Sequence, residues 1–413
     1  MVAASPSTTP MAGPTRTPQR PTSTGAGATT ATTTGGERSL PQRHPVGSRW
    51  CRLGSRTNCR GLIQQLRALK ARFLNLALVT IHRFMARRFL ALAAASGLTA
   101  ISLTGCSLFM GSSGGKLTGA GASFPAAIYN RWFQQLAQQP EGVKVAYQSV
   151  GSGAGVRQFI GETVDFGASD VPMKPESIAQ VKRGVVQLPM TAGAIAVAYN
   201  KPGCDLKLDQ QKLADIFLGK ITNWKDLGCG DKKLTVVHRS DGSGTTANFT
   251  AHLAAISPAW ANGPSKGKTI NWPTGVGAKG NEGVAAQLGQ VEGGIGYVEV
   301  AYVKGALQAA ALTNASGEVV KPTAESESEA LASIDLGPDL TGSNPNPAKG
   351  YPIVTFTWIL LYKEGNGDKL KPLQTAFEFT LSDEAQKQAP DIGYVTLPES
   401  VIAKAREALK TIQ

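Results

Sequence analysis

The chain changes character twice along its length. Residues 1–60 show no apolar periodicity; Thr, Pro, Ser, Gly and Arg dominate, a composition that cannot bury a core. From Met85 to Cys106 two arginines, Arg87 and Arg88, precede a short apolar run that ends in small residues. Beyond it, strand-type and helix-type patterns alternate. Val143–Tyr147 predicts a strand, with a helix behind it running through Phe159. Asp165–Asp170 predicts a short strand that ends at a carboxylate. Gln187–Tyr199 is apolar and partly β-branched, the kind of segment that can leave one lobe and enter another. Leu234–His238 predicts a strand feeding a helix over Thr246–Ile256, and Ile353–Tyr362 a long strand. The C-terminal stretch reads as mostly helical, closing with Pro398–Ile412. Alternating β and α elements predict α/β lobes with ligands at the carboxyl ends of strands. A body of about 300 residues is too large for one typical core, so two lobes are expected.

Three glycine- and serine-rich turns open predicted helices: Gly119-Ala-Gly-Ala-Ser-Phe-Pro125, Gly151-Ser-Gly-Ala-Gly-Val156 and Asp241-Gly-Ser-Gly-Thr-Thr246. A helix N-terminus leaves its first N–H groups unpaired and carries roughly half a positive charge. Glycine lets the backbone approach an oxyanion closely, and a hydroxyl adds a donor. One such turn is also what an ordinary capped helix looks like. Three of them, with Arg239 beside the third, point to convergence on one small anion. Lys279-Gly-Asn-Glu282 reads as a further turn before a helix. Neither it nor Asp241–Thr246 is a nucleotide P-loop, since both lack the Gly-Lys-Ser/Thr ending. Trp224, Trp260 and Trp272 are expected to pack in a core or on a lobe surface rather than to form a stacking platform.

Charge and cysteine usage divide the chain at the same place. Residues 1–105 hold fourteen of the 42 Lys and Arg and one of the 29 Asp and Glu, which accounts for the whole formal charge of +13. The remainder is balanced, so the basic pI carries no implication for nucleic acid. Met85–Gly105 reads as a secretory signal, and Leu103-Thr-Gly-Cys106 resembles a bacterial lipobox, in which the cysteine is lipidated and becomes the mature N-terminus. A transmembrane anchor is the alternative, but residues 89–105 fall short of the ~20 apolar residues a span needs. Met85 is the better translation start, and residues 1–84 read either as an untranslated extension or as a long leader. Gly111–Gly115 reads as a flexible tether. Cys51 and Cys59 lie in the leader, which leaves Cys204 and Cys229 in the body. An oxidising compartment permits a bridge between them, closing a loop of about 25 residues and adding about 3 kcal/mol; two free thiols are the alternative. No Cys/His cluster suggests a metal site, and no cofactor is expected.

Thr118–Pro125, Val164-Asp-Phe-Gly-Ala-Ser-Asp170, Gly219-Lys-Ile-Thr-Asn-Trp224, Arg239–Thr245 and Gly294-Ile-Gly-Tyr-Val-Glu299 together resemble the substrate-binding protein of bacterial phosphate ABC transporters. The resemblance runs from about Leu117 to Lys410, and its motifs are long, ordered and widely spaced. It implies a two-lobed periplasmic-binding-protein fold with a hinge and a central ligand cleft. The first lobe would be discontinuous, 116–198 plus 355–413, with 199–354 as the second lobe and 106–115 as the tether. It implies a monomer that passes inorganic phosphate to membrane permease and ATPase subunits, outside the cell membrane and lipid-anchored to it. It implies phosphate contacts from Ser123, Phe124, Ser152, Asp170, Arg239, Asp241, Ser243, Gly244 and Thr245. Ser123 stands where the family often has Thr, and keeps the oxygen. The second turn has Gly-Ala where Ser-Gly is also common.

Asp170 is the informative residue. A carboxylate in an anion site is costly unless its charge is answered. A protonated ligand oxygen answers it by donating a hydrogen bond. Phosphate near neutral pH carries such a proton and sulfate does not, so Asp170 would attract one and repel the other. An Asp at a strand end also often caps a turn. Asp241 has a milder role, orienting Arg239. The competing class is a phosphohydrolase with Ser243 or Thr245 as nucleophile. It needs a nearby base and usually a metal. His238 is close in sequence, but Arg239 would point to the opposite face of a strand. A third reading keeps the binding protein and changes the oxyanion to sulfate, molybdate or arsenate.

Overall fold

The computed structural model describes residues 115–140 and 142–413. The readings for 1–84, 85–105 and Cys106 lie outside the described residues, as does all of the tether except Gly115. Strands, in chain order, are β1 (Lys116–Gly121), β2 (Lys144–Ser149), β3 (Phe166–Ser169), β4 (Val185–Asn200), β5 (Lys207–Leu208), β6 (Thr235–Arg239), β7 (Val276–Ala278), β8 (Gly294–Glu299), β9 (Gln308–Ala309), β10 (Ala311–Thr313), β11 (Val319–Val320) and β12 (Val354–Tyr362). Nine of them form one sheet in the order β2-β1-β3-β12-β4-β8-β6-β7, with β9 also paired to β4. β5, β10 and β11 form a small second sheet.

β4 joins the two ends of the large sheet. Its first part, Val185–Ala194, pairs antiparallel with β12, and its second part, Ile195–Asn200, pairs antiparallel with β8. After its first two residues every position of β4 is buried, as are all positions of β3, β8 and β12. Strands covered on both faces must be apolar nearly throughout, which is why these segments show continuous hydrophobic runs instead of alternation. The polar residues β4 does carry are all satisfied. Gln187 accepts the Met173 N–H at 2.8 Å, Thr191 donates to the Val395 carbonyl at 3.1 Å, and Asn200 donates to the Leu288 carbonyl at 3.0 Å. At the edge, β2 has no buried residue and alternates between exposed and partly covered positions.

β1, β2 and β3 run parallel to one another, as do β6, β7 and β8. Four helices follow the carboxyl ends of these strands: α1 (Ala126–Leu136), α2 (Ser152–Ile160), α3 (Gly244–Ile256) and α4 (Gly280–Gln290). α1 turns Ile128, Tyr129, Trp132 and Phe133 inward, and the Trp132 indole donates to the Ala385 carbonyl at 2.8 Å. α3 begins two residues earlier than its apolar pattern indicates. The Ser243 hydroxyl accepts the Thr246 N–H at 3.0 Å and so caps the helix from a position ahead of the glycine.

The second end of the sheet is packed by an aromatic group in which Phe249 stacks on Tyr297 at 4.3 Å and Phe217 meets Phe249 edge-on at 4.7 Å. Trp224 and Trp260 are fully buried. Trp272 stacks on His238 at 4.8 Å and on Tyr297 at 5.6 Å, so the three tryptophans are packing residues. Cys204 and Cys229 are joined by a disulfide across 25 positions of sequence. The mixed α/β architecture agrees with the alternation of patterns along the chain.

Candidate functional site

The carboxyl ends of parallel strands bring four helix N-termini to one place, at the junction of the two halves of the sheet. Three belong to the turns singled out by sequence; the fourth is α4. Contacts across this junction are short and polar. The Gly153 N–H donates to the Gly242 carbonyl at 2.7 Å. The Gly244 N–H donates to the Ser152 hydroxyl at 3.1 Å, and the Asn281 N–H to the Ser123 hydroxyl at 3.0 Å. Gly153 and Gly242 meet backbone to backbone, and a Cβ on either would lie 3.1–3.3 Å from the other's main chain. A side chain at either position would crowd the other's backbone, which would have to give by a few tenths of an ångström.

Asp170 sits at the centre, one residue past β3 and 1% exposed. Its Oδ1 accepts the Thr357 hydroxyl at 3.0 Å. Its Oδ2 has two longer contacts, Ser152 Oγ at 3.3 Å and Thr245 Oγ1 at 3.5 Å. Burial pushes this carboxyl up to about 6, against the opposing pull of Thr357, Arg239, Ser152 and Lys268. An ionised carboxylate held here with spare capacity on Oδ2 is an acceptor waiting for a donor.

Arg239 ends β6 and is 3% exposed. Both ends of its guanidinium grip Asp241, with Nε to Oδ1 at 2.8 Å, and its remaining nitrogen reaches Thr245 Oγ1 at 3.4 Å. Asp241 Oδ1 also accepts the Gly280 N–H at 3.0 Å. The arginine holds the Asp241 carboxyl below its ordinary range in spite of partial burial, which by itself would raise it. Asp241 therefore orients Arg239 and ties it to the start of α4. The fork leaves one face of the guanidinium pointed at Thr245.

The first turn is fixed from behind. Three successive carbonyls each accept a tyrosine hydroxyl: Ala122 from Tyr147 at 2.6 Å, Ser123 from Tyr302 at 2.7 Å, and Phe124 from Tyr394 at 2.7 Å. Phe124 itself is fully buried, its ring edge-on to Tyr394 at 6.2 Å. These bonds lock the peptide planes at the helix start and so preset the direction of its N–H groups.

Every residue named from sequence for this site therefore lies at the junction: Ser123, Phe124, Ser152, Asp170, Arg239, Asp241, Ser243, Gly244 and Thr245. Ser243 differs from the others in that its oxygen is engaged as the cap of α3. Two residues were missed. Asn281 is fully buried; its amide donates to Ser123 Oγ at 2.9 Å and to Thr245 Oγ1 at 3.2 Å, and its carbonyl accepts the Glu299 N–H at 3.0 Å. Thr357, on β12, holds Asp170. His238 turns away from the hydroxyls: its ring stacks on Trp272 and its Nδ1 meets the Arg239 carbonyl at 3.1 Å. Burial lowers its pKa.

A cleft between two α/β halves joined through one long strand, β4, is that of a two-lobed binding protein. A family model described as PBP superfamily domain matches residues 110–384. The phosphate-binding protein PstS of Pasteurella multocida is 43% identical over 316 residues, covering 71% of this chain and 90% of that one. That of Haemophilus influenzae is 42% identical over 315 residues, covering 72% and 93%. Among solved structures, a high affinity periplasmic phosphate-binding protein (PfluDING) bound with phosphate superposes with a TM-score of 0.60 at 22% identity, over 71% of this chain and 93% of that one, a likeness of fold. The chain belongs to the PstS phosphate-binding proteins of the PBP superfamily.

Proposed function

We propose that this protein binds inorganic phosphate between its two lobes and delivers it to the membrane permease and ATPase subunits of a phosphate ABC transporter. The observation that carries the reading is Asp170 Oδ2, buried, weakly engaged, and placed among the N-termini of helices with Arg239 opposite. N–H groups and the guanidinium supply attraction for a dianion. Asp170 supplies the acceptor that only a protonated oxyanion can use. Ser123, Phe124, Ser152, Ser243, Gly244 and Thr245 are the direct ligands in this reading, and Asp241 acts through Arg239. Asn281 and Thr357 are the positioning residues.

The lobes are 116–198 plus 355–413 and 199–354, joined through β4 and the approach to β12. Capture closes them, because only closure completes the contacts. The protein works outside the cell membrane as a lipid-anchored monomer, with Cys106 as the lipidated residue after removal of 85–105. It is a carrier and not an enzyme: the serine and threonine hydroxyls answer backbone, Asp170, Arg239 and Asn281, and the neighbouring histidine faces the tryptophan.

Calorimetric titration tests the reading. Phosphate should bind at one site per chain, and sulfate at the same concentrations should give no saturable heat. Absence of phosphate binding, or equal affinity for the two anions, refutes it.

A further inference from the structure

A cavity of about 700 Å³ lies against the anion site and takes its walls from both halves of the sheet. It shares Gly153, Gly242 and Asn248 with the junction, and Asn248 in turn donates to the Asp170 carbonyl at 2.7 Å. At the seam between cavity and site lies the Gly153–Gly242 backbone contact. Four cations line the cavity, Arg157, Lys174, Lys266 and Lys268, and no carboxylate does. Among the described residues none of the four is within ion-pair distance of an Asp or Glu, although eleven such pairs occur elsewhere. Lys268 is the innermost. Its carbonyl accepts the Ser243 N–H at 2.8 Å, and it also borders a smaller cavity of about 390 Å³ that reaches Arg239.

Concentrating like charge in a confined space opposes folding unless something else uses it. Lys268 shows the cost: burial and the neighbouring Lys174 push its ammonium down to about 8, even with Asp170 pulling the other way. A low-dielectric wall carrying only positive charge focuses potential into the cavity and raises the local concentration of anions. We infer that this cavity is an outer anion site, where a phosphate dianion is first held by Arg157, Lys174, Lys266 and Lys268 before it passes the glycine seam to the buried site. The inference rests on the phosphate reading and adds the route. A transient site of this kind differs in design from the buried one. It has ammonium and guanidinium donors and no carboxylate to take a ligand proton, so it selects for charge and leaves discrimination among oxyanions to Asp170.

The experiment is stopped-flow measurement of phosphate association and dissociation over a range of ionic strength, on the wild type and on K174Q/K266Q. Both lysines are exposed, so the fold does not depend on them. A K174E/K266E variant extends the series. The control K225Q/K233Q removes the same charge from exposed positions that do not line the cavity. The expected result is an association rate about tenfold lower for K174Q/K266Q at low salt, lower still for the Glu variant, unchanged in the control, and converging with wild type at high salt. Dissociation rates should stay within twofold. An association rate equal to wild type at low salt overturns the outer site. So does an affinity loss that lies wholly in the dissociation rate, which makes these lysines ligands of the closed state instead. A wild-type protein that takes up no phosphate overturns the phosphate reading itself, and the outer site with it.

Discussion

Replacing Asp170 by Asn tests the selectivity mechanism at its centre. The substitution is nearly isosteric and keeps an oxygen for Thr357, which now contacts Oδ1 at 3.0 Å. What changes is the other position, where Oδ2 has only long contacts at 3.3 and 3.5 Å. An amide there can donate as well as accept, and carries no charge. Phosphate loses one charge-assisted hydrogen bond, worth about 1.5–3 kcal/mol, or about ten- to a hundredfold in affinity. Sulfate, which meets an unanswered charge in the wild type, gains. The pH dependence separates this from a general loosening of the site. Burial raises the carboxyl to about 6 without ligand, so acid neutralises Asp170 and lets it donate. Wild-type affinity for sulfate should therefore rise as pH falls through about 6, and that of the Asn variant should not. Stability follows the same group with the opposite partner. A carboxyl raised from 3.8 to about 6 stabilises the fold below 3.8 relative to higher pH, and that contribution is lost as pH rises through about 6. The Asn variant lacks the loss, so its ligand-free Tm should equal or exceed that of wild type near neutral pH. Calorimetry with both anions and thermal denaturation measure all of this. A phosphate-to-sulfate ratio unchanged by the substitution refutes the mechanism.

Arg239→Ala removes attraction without regard to the ligand proton and strands Asp241, so titration should show phosphate and any residual sulfate binding both weakened by about a hundredfold. Asn281→Ala deletes the amide that ties Ser123 to Thr245, and phosphate affinity should fall by about tenfold with the sulfate ratio preserved. Glu327 contacts the Ala194 N–H at 3.2 Å where β4 changes partners, and burial pushes its carboxyl up to about 8. Its stabilising contribution is thus lost as pH rises from 4.5 through about 8, and Glu327→Gln should flatten that part of the urea-denaturation profile. The double variant Cys204→Ser/Cys229→Ser should lose about 3 kcal/mol in urea denaturation and keep its phosphate affinity, since the bridge closes a loop of 25 positions away from Asp170.

The strands and helices that build the site were legible because their patterns are local. Buried strands such as β4 and β12 show as apolar runs, and a Gly-Ser turn before a helix shows in a few residues. Asn281 was not legible for two reasons. Its strand β7 has only three residues, none of them buried, so the turn at Lys279–Glu282 read as the start of a helix with no strand ahead of it. The turn also lacks the hydroxyls that made the other three conspicuous, although Gly280 has a φ of +71° and plays the same part as the earlier glycines. Thr357 was hidden inside an apolar strand, where Thr355 and Thr357 on one face were the available signal. The three tyrosines behind the first turn come from positions 147, 302 and 394, and only the folded chain brings them to adjacent carbonyls. The same holds for the cations of the outer cavity, which three separate segments contribute: Arg157, Lys174, and Lys266 with Lys268.

The register of β4 against β12 has a consequence for how the gene can be cut. Ala194 and Val354 are direct partners on adjacent antiparallel strands, so the chain leaves the first half and returns to it at one point. The first described strand and the C-terminal residue both pack on that half, where Lys369 donates to the Lys116 carbonyl at 3.0 Å and the Gln413 N–H donates to the Lys363 carbonyl at 2.7 Å. Topologically the second half is a cassette inserted into a small continuous domain. A two-residue hairpin turn joining Ala194 to Val354 excises it without disturbing a single strand pairing of the remainder. A foreign module in its place would be held by the same two strands, β4 and β12.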